Sequence, residues 1–192
     1  MHAPSDAPTD DKHLFGLWIY LMTDLIMFAA LFATYAVLRN ATFGGPDQSQ
    51  LLNLNGALAE TLILLTSSFT CGIAMLAVQA GKVQQAIAWF SVTFVLGATF
   101  LGLELAEFSG LVAGGNGPQE NAAMSAFFTL VGTHGLHIAV GLLWMAVAIV
   151  MINQRGLTPG VSSKLQRLAL FWHFLDIIWI FIFTIVYLMG VM

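Results

Sequence analysis

The sequence predicts an all-α fold, a polytopic membrane protein built as a bundle of five transmembrane helices. Three observations carry this. Hydrophobic residues make up 58% of the 192 residues and charged ones 8%, with a mean hydropathy of +0.85. A soluble domain of this length needs far more polar surface. The apolar residues fall into five long runs, and the breaks between the runs carry turn chemistry.

Taken in order, residues 1–14 are polar and acidic, with Pro4, Pro8, Asp6, Asp10 and Asp11, and read as a mobile tail. They have no basic n-region and no small-residue cleavage site, unlike a signal peptide. The spans cover about 15–38, 57–80, 86–108, 122–152 and 168–192, one domain from 15 to 192. Each run has about 23 to 31 residues, enough at about 1.5 Å per residue to cross a hydrocarbon core of roughly 30 Å. Helices are required, because an open strand leaves its backbone polar groups unsatisfied in lipid. The breaks are Gly44-Gly45-Pro46, Gly81-Lys82, Gly114-Gly115-Asn116-Gly117-Pro118 and Thr158-Pro159-Gly160. Such sequences favour turns.

Basic residues orient the bundle. Lys12, Lys82, Arg155, Lys164 and Arg167 fall on one side, and Arg39 alone on the other. That asymmetry puts the N-terminus in the cytoplasm, and an odd number of spans puts Met192 outside. Trp18, Tyr20, Trp89, Trp172 and Tyr187 lie near span ends, where an aromatic belt would hold them, with simple packing as the alternative. The net charge of −4 gives no reason to expect a nucleic-acid partner. The single cysteine, Cys71, excludes an internal disulfide and a cysteine metal site, and reads as a small packing residue near Ser67.

The informative residues are the ionisable ones inside the spans: Asp24, Glu60, Glu104, Glu107, His134, His137, His173 and Asp176. A charge at the bilayer centre costs about 2.5–3.5 kcal/mol, so these groups must face protein. No Lys or Arg lies inside any span, so the acids can pair only with histidine, a hydroxyl or each other. Helical spacing sorts them into stripes. Glu104 and Glu107 share a face with Thr93, Gly97 and Phe100. His134 and His137 share one with Gly141 and Trp144, and His173 and Asp176 one with Thr184 and Tyr187. Asp24 aligns with Tyr20 and Tyr35. Counting residues from the span ends, Asp24, His173 and Asp176 form an inner cluster, and Glu60, Glu104 and Glu107 an outer one. The histidine pair lies near mid-depth. Gly132, Gly135, Ala139 and Gly141 should let the fourth helix pack closely.

His134 and His137 could ligate haem or a metal. Two histidines one turn apart are adjacent, however, and cannot sit trans across a haem. The acid stripe could relay protons, but interhelical hydrogen bonding is the favoured reading. Met22, Met27, Met75, Met124 and Met145 are scattered core filler. The run from Phe171 to Phe183 should face lipid or a partner.

Four blocks carry a resemblance. The opening Phe15-Gly-Leu-Trp-Ile-Tyr-Leu-Met-Thr-Asp24, continuing through Phe32-Ala-Thr-Tyr-Ala-Val-Leu38, resembles the start of subunit III of haem–copper terminal oxidases. Ser125-Ala-Phe-Phe-Thr-Leu-Val-Gly-Thr-His-Gly-Leu-His137 resembles the family's stretch ending in His-Gly-Leu-His. Phe171-Trp-His-Phe-Leu-Asp-Ile-Ile-Trp179 resembles its Trp-His-Phe-x-Asp-x-x-Trp signature, and Glu104 to Glu107 the acidic end of a family helix. The likeness runs in order from about residue 15 to the C-terminus. It is strongest to the five-helix subunit III of bo-type ubiquinol oxidases, with cytochrome c oxidase as the other branch.

The resemblance implies a non-catalytic subunit of a proton-pumping complex in the bacterial cytoplasmic (inner) membrane. Haem and copper belong to the partner subunit I, and ubiquinol is the substrate of the complex. This chain would hold no cofactor and no metal. It would pack on subunit I, with subunits II and IV also present, and bind phospholipid. Arg39 and Lys82, at membrane edges, are candidate headgroup contacts. Asp24 falls where the family carries a buried carboxylate, usually glutamate in the cytochrome c branch. Two rival functions are a small proton-coupled transporter using Asp24, Glu104 and Glu107, and a haem-b anchor using His134, His137 and His173. Against the transporter, no inverted repeat and no paired Gly/Pro-broken spans are visible.

Overall fold

A computed structural model describes residues 7–39, 54–115 and 117–189. Its elements are α1 (Ala7–Leu38), α2 (Leu54–Gln79), α3 (Val83–Ala113), α4 (Ala122–Arg155) and α5 (Pro159–Ile182). A π-helical turn, Phe183–Leu188, extends α5. No strand occurs among the described residues. All five helices are long and apolar enough to cross a membrane.

Two starts differ from the sequence expectation by eight or nine residues, the α2 and α3 starts by three. α1 begins at Ala7, so helix replaces much of the segment read as a mobile tail. Pro8 and the Asp10-Asp11 pair are residue types that a first helical turn favours. The apolar, membrane-crossing part still begins only at Lys12. α5 begins at Pro159, nine residues before the expected span, and shrinks the loop after α4 to Gly156–Thr158. The Thr158 hydroxyl accepts the Val161 N–H at 3.4 Å and Pro159 opens the helix. Val161, Leu165 and Leu168 then bury one face, the i, i+4, i+7 pattern of a packed helix. Gly156, with φ +66°, ends α4 in a conformation that a side chain resists. Asn121 caps the other end of α4, accepting the Met124 N–H at 2.8 Å.

Helices α2, α3, α4 and α5 close a ring in which each packs on the next and α5 returns to α2. α1 lies outside that ring, against α4 and α5. The ring encloses an aromatic core of Phe90, Phe100, Phe127, Phe171, Trp172, Trp179 and Tyr187. Trp172 and Tyr187 are therefore core residues and not part of an interfacial belt, while Trp18 and Tyr20 on α1 are exposed. The Phe171–Phe183 run splits: Phe171 is buried and Phe181 faces outward. Cys71 is buried in the core.

Close packing surrounds Trp172. A Cβ on Gly97 would stand 2.7 Å from the indole, and one on Gly141 would stand 3.0 Å from it. The ring thus fits between two helices because neither carries a side chain there. Its Nε1–H donates to Ser67 Oγ at 3.2 Å, Ser67 donates on to the Thr93 carbonyl, and Thr70 and Thr93 share a hydrogen bond. This hydroxyl network joins α2, α3 and α5.

Candidate functional site

Backbone geometry sets where each buried polar residue points. On α4, His134 and His137 lie one turn apart. His137 Nδ1–H donates to the Thr133 carbonyl at 2.7 Å, which turns Nε2 toward Asp24 Oδ2 on α1, 3.6 Å away. That approach is too long for a hydrogen bond. Phe28 covers the pair, its ring centroid 5.4 Å from that of His137.

His134 is fully buried, and its Nε2–H donates to the Leu175 carbonyl of α5 at 3.2 Å. Phe100 and Trp179 wall the imidazole at 5.9 and 5.2 Å between centroids. Nε2 is thus committed to a carbonyl with aromatic rings against the imidazole face, while Nδ1 has no hydrogen-bond partner among the described residues. Among the described residues, no group of three or more His, Cys, Asp and Glu side chains is placed to hold a metal ion.

His173 turns toward α2. Its Nδ1 lies 2.6 Å from Ser68 Oγ and 3.9 Å from Asp176 Oδ2. The imidazole opens onto a shallow groove of about 570 Å³ along Leu65, Phe69, Gly72 and Leu76. The inner cluster read from the sequence therefore divides. Asp24 faces His137, whereas His173 and Asp176 face Ser68, because α1 packs on α4 and α5 outside the ring.

Near the other end of the bundle, Glu60 on α2 and Glu107 on α3 line a cleft of about 280 Å³ with Gly56, Ala59 and Leu103. Glu104 lies one turn from Glu107 and points into the bundle, where a Cβ on Gly135 would come within 2.7 Å of its carboxyl. Tyr187 O–H donates to Glu107 Oε2 at 3.0 Å. Glu60 Oε2 and both Glu104 oxygens have no hydrogen-bond partner among the described residues.

Of the candidate headgroup contacts, Lys82 is exposed in the α2–α3 turn and Arg39 is half-buried just past α1. Sequence reasoning missed the partners that come from other helices. Thr61 accepts the Trp179 indole N–H at 3.0 Å, Ser68 meets His173, and Tyr187 reaches Glu107. A small hydroxyl residue on an apolar helix was the available signal, since such groups bond across helices in membranes.

Comparison with known proteins gives a consistent set. The family model for cytochrome c oxidase subunit III matches residues 7–191. The cytochrome bo(3) ubiquinol oxidase subunit 3 of Pseudomonas aeruginosa is 55% identical, the match covering 92% of this chain and 85% of that protein. The quinol oxidase subunit 3 of Bacillus subtilis is 43% identical, with 98% and 96% covered. The cytochrome c oxidase subunit 3 of Bacillus sp. (strain PS3) is 42% identical, with 96% and 90% covered.

Proposed function

Because the chain belongs to the cytochrome c oxidase subunit III family of the haem–copper oxidases, we propose that it serves as the non-catalytic subunit 3 of a ubiquinol oxidase complex. The complex oxidises ubiquinol and reduces oxygen to water. The observation that carries the ubiquinol branch is the 55% identity to a ubiquinol oxidase subunit 3 across 92% of the chain. Membership of a multi-subunit oxidase implies partner oxidase subunits, and five apolar helices together with bacterial oxidase relatives imply a multi-pass protein of the bacterial inner membrane.

Finer features belong to the same reading. Haem and copper reside in subunit I, this chain's main neighbour, with subunits II and IV completing the complex. The N-terminus lies in the cytoplasm, since Lys12, Lys82, Arg155, Lys164 and Arg167 gather at that end against Arg39 at the other. Phospholipid binds in a cleft between helix groups, with Arg39 and Lys82 as candidate headgroup contacts. The buried acids and histidines join helices to one another. What supports that role is their geometry: His134 ties α4 to α5, Tyr187 ties the end of α5 to α3, and Ser68 ties α2 to α5.

A second reading, the cytochrome c branch, is favoured by the 42% identity to a cytochrome c oxidase subunit 3. One experiment separates them. The tagged chain is drawn from membranes in mild detergent, and what accompanies it is examined for haem absorbance and for oxygen uptake with ubiquinol or reduced cytochrome c. A haem-bearing partner with ubiquinol-dependent uptake is expected. Uptake with cytochrome c alone would move the chain to the other branch, and a colourless chain emerging alone would remove the subunit reading.

A further inference from the structure

The cleft where α2 begins and α3 ends holds acids that no described cation of the chain meets. Glu60 is 4% exposed, lines the cleft and has an oxygen, Oε2, with no partner among the described residues. Glu107 shares the cleft and spends one oxygen on Tyr187. Glu104, 2% exposed, stands one turn deeper on the same helix. Glu60 is six residues past the start of α2, and Glu107 six before the end of α3. At about 1.5 Å per residue, both stand about 9 Å below the helix ends, within reach of a long basic side chain.

Among the described residues, no cation of this chain is placed to meet these acids. Its Lys and Arg residues number six, Lys12, Arg39, Lys82, Arg155, Lys164 and Arg167, and neither residues 40–53 nor residue 116 adds another. Five of the six stand at the opposite end of the helices. Arg39 follows α1, which packs on α4 and α5, whereas the cleft lies between α2 and α3. A metal ion is not a suitable occupant, since the described carboxyls do not assemble into a metal-holding group. Buried carboxyl groups need a partner, and a basic side chain meets them by charge-assisted hydrogen bonds, bidentate for arginine.

We propose that this cleft, lined by Glu60 and Glu107, receives a lysine or arginine side chain from a neighbouring oxidase subunit. The assignment rests on the reading of the chain as an oxidase subunit. Small residues on the cleft wall, Gly56 and Ala59, leave room for the incoming stem, and Leu103 packs against its methylenes.

The test uses the whole complex, purified through a tag on another subunit, with the stoichiometry of this chain measured at rising salt and detergent. Two variants are compared with wild type. Glu60→Gln with Glu107→Gln removes the acidic partners. Ala59→Lys keeps the acids and supplies the cleft with the chain's own ammonium, displacing the neighbour's. Each variant should reach the membrane at wild-type level, yet leave the complex about tenfold faster or more, because loss of a buried charge partner acts mainly on dissociation. Should the double variant not accumulate, Ala59→Lys alone decides. Retention of Ala59→Lys at wild-type stoichiometry overturns the proposal. So does a wild-type chain lost on lipid extraction and restored by vesicles of phosphatidylethanolamine but not phosphatidylglycerol, which assigns the cation to a lipid. A wild-type chain that never accompanies the complex is a different result, and refutes the subunit reading itself.

Discussion

At the scale of single residues, the indole of Trp172 is tightly held between Gly97 and Gly141. Gly97→Ala would set a methyl 2.7 Å from Trp172 and 3.0 Å from Leu142, too close for either to stay in place. Overpacking of this kind costs about 1–3 kcal/mol. A lowered unfolding midpoint in detergent is expected, partly recovered by adding Trp172→Phe, which makes room but gives up the bond to Ser67. Asp24 behaves differently. Its approach to His137 is 3.6 Å, and its Oδ2 has no hydrogen-bond partner among the described residues. Asp24→Asn keeps the shape and breaks no hydrogen bond of Oδ2, so ubiquinol-dependent oxygen uptake of the complex should stay near the wild-type rate. Abolished proton pumping with assembly unchanged would count against a structural role for this residue.

At the scale of elements, the end of α5 shows how a local irregularity serves packing. The π-helical turn Phe183–Leu188 widens the helix, and within it Val186 and Tyr187 are both buried. Such turns arise where one extra residue is accommodated in an α-helix, and often where a side chain must be re-aimed. Here the hydroxyl of Tyr187 reaches Glu107 on α3. Tyr187→Phe keeps the ring packing and removes only that bond. It should lower bundle stability by about 1 kcal/mol, within the range measured for hydrogen bonds between membrane helices. Thermal unfolding in detergent reads the change, and an unaltered midpoint would show that Glu107 finds another donor. α1 is the contrasting element. It joins the ring mainly through α4 and α5, and much of its surface, including Phe15, Ile26 and Val37, faces outward.

At the scale of the molecule, exposed Leu, Val, Ile and Phe side chains cover the outside of every helix, and the ionisable residues of the spans turn inward, toward the Glu60–Glu107 cleft or, for His173, toward the groove along Leu65 and Leu76. That distribution suits a subunit that meets lipid and protein neighbours. The five spans were legible from composition and run length, since lipid admits only structures that satisfy their own backbone. The α5 start was not, because an amphipathic turn such as Val161–Leu168 has too little hydropathy to be counted as membrane-crossing. The buried polar residues were legible as a set, because the cost of charge in lipid marks each one wherever it occurs. The blocks ending at Asp24, His137 and Trp179 were legible as a family likeness.

Pairing was not legible. Helical periodicity places residues on a face, but which helix that face meets is a property of the ring. So Asp24 goes to His137 and His173 to Ser68, and the burial of Trp172 depends on two glycines in other helices. Composition and spacing act along one chain direction and determine spans and stripes; contacts between stripes depend on helix order, rotation and close approach, which only the packed bundle decides.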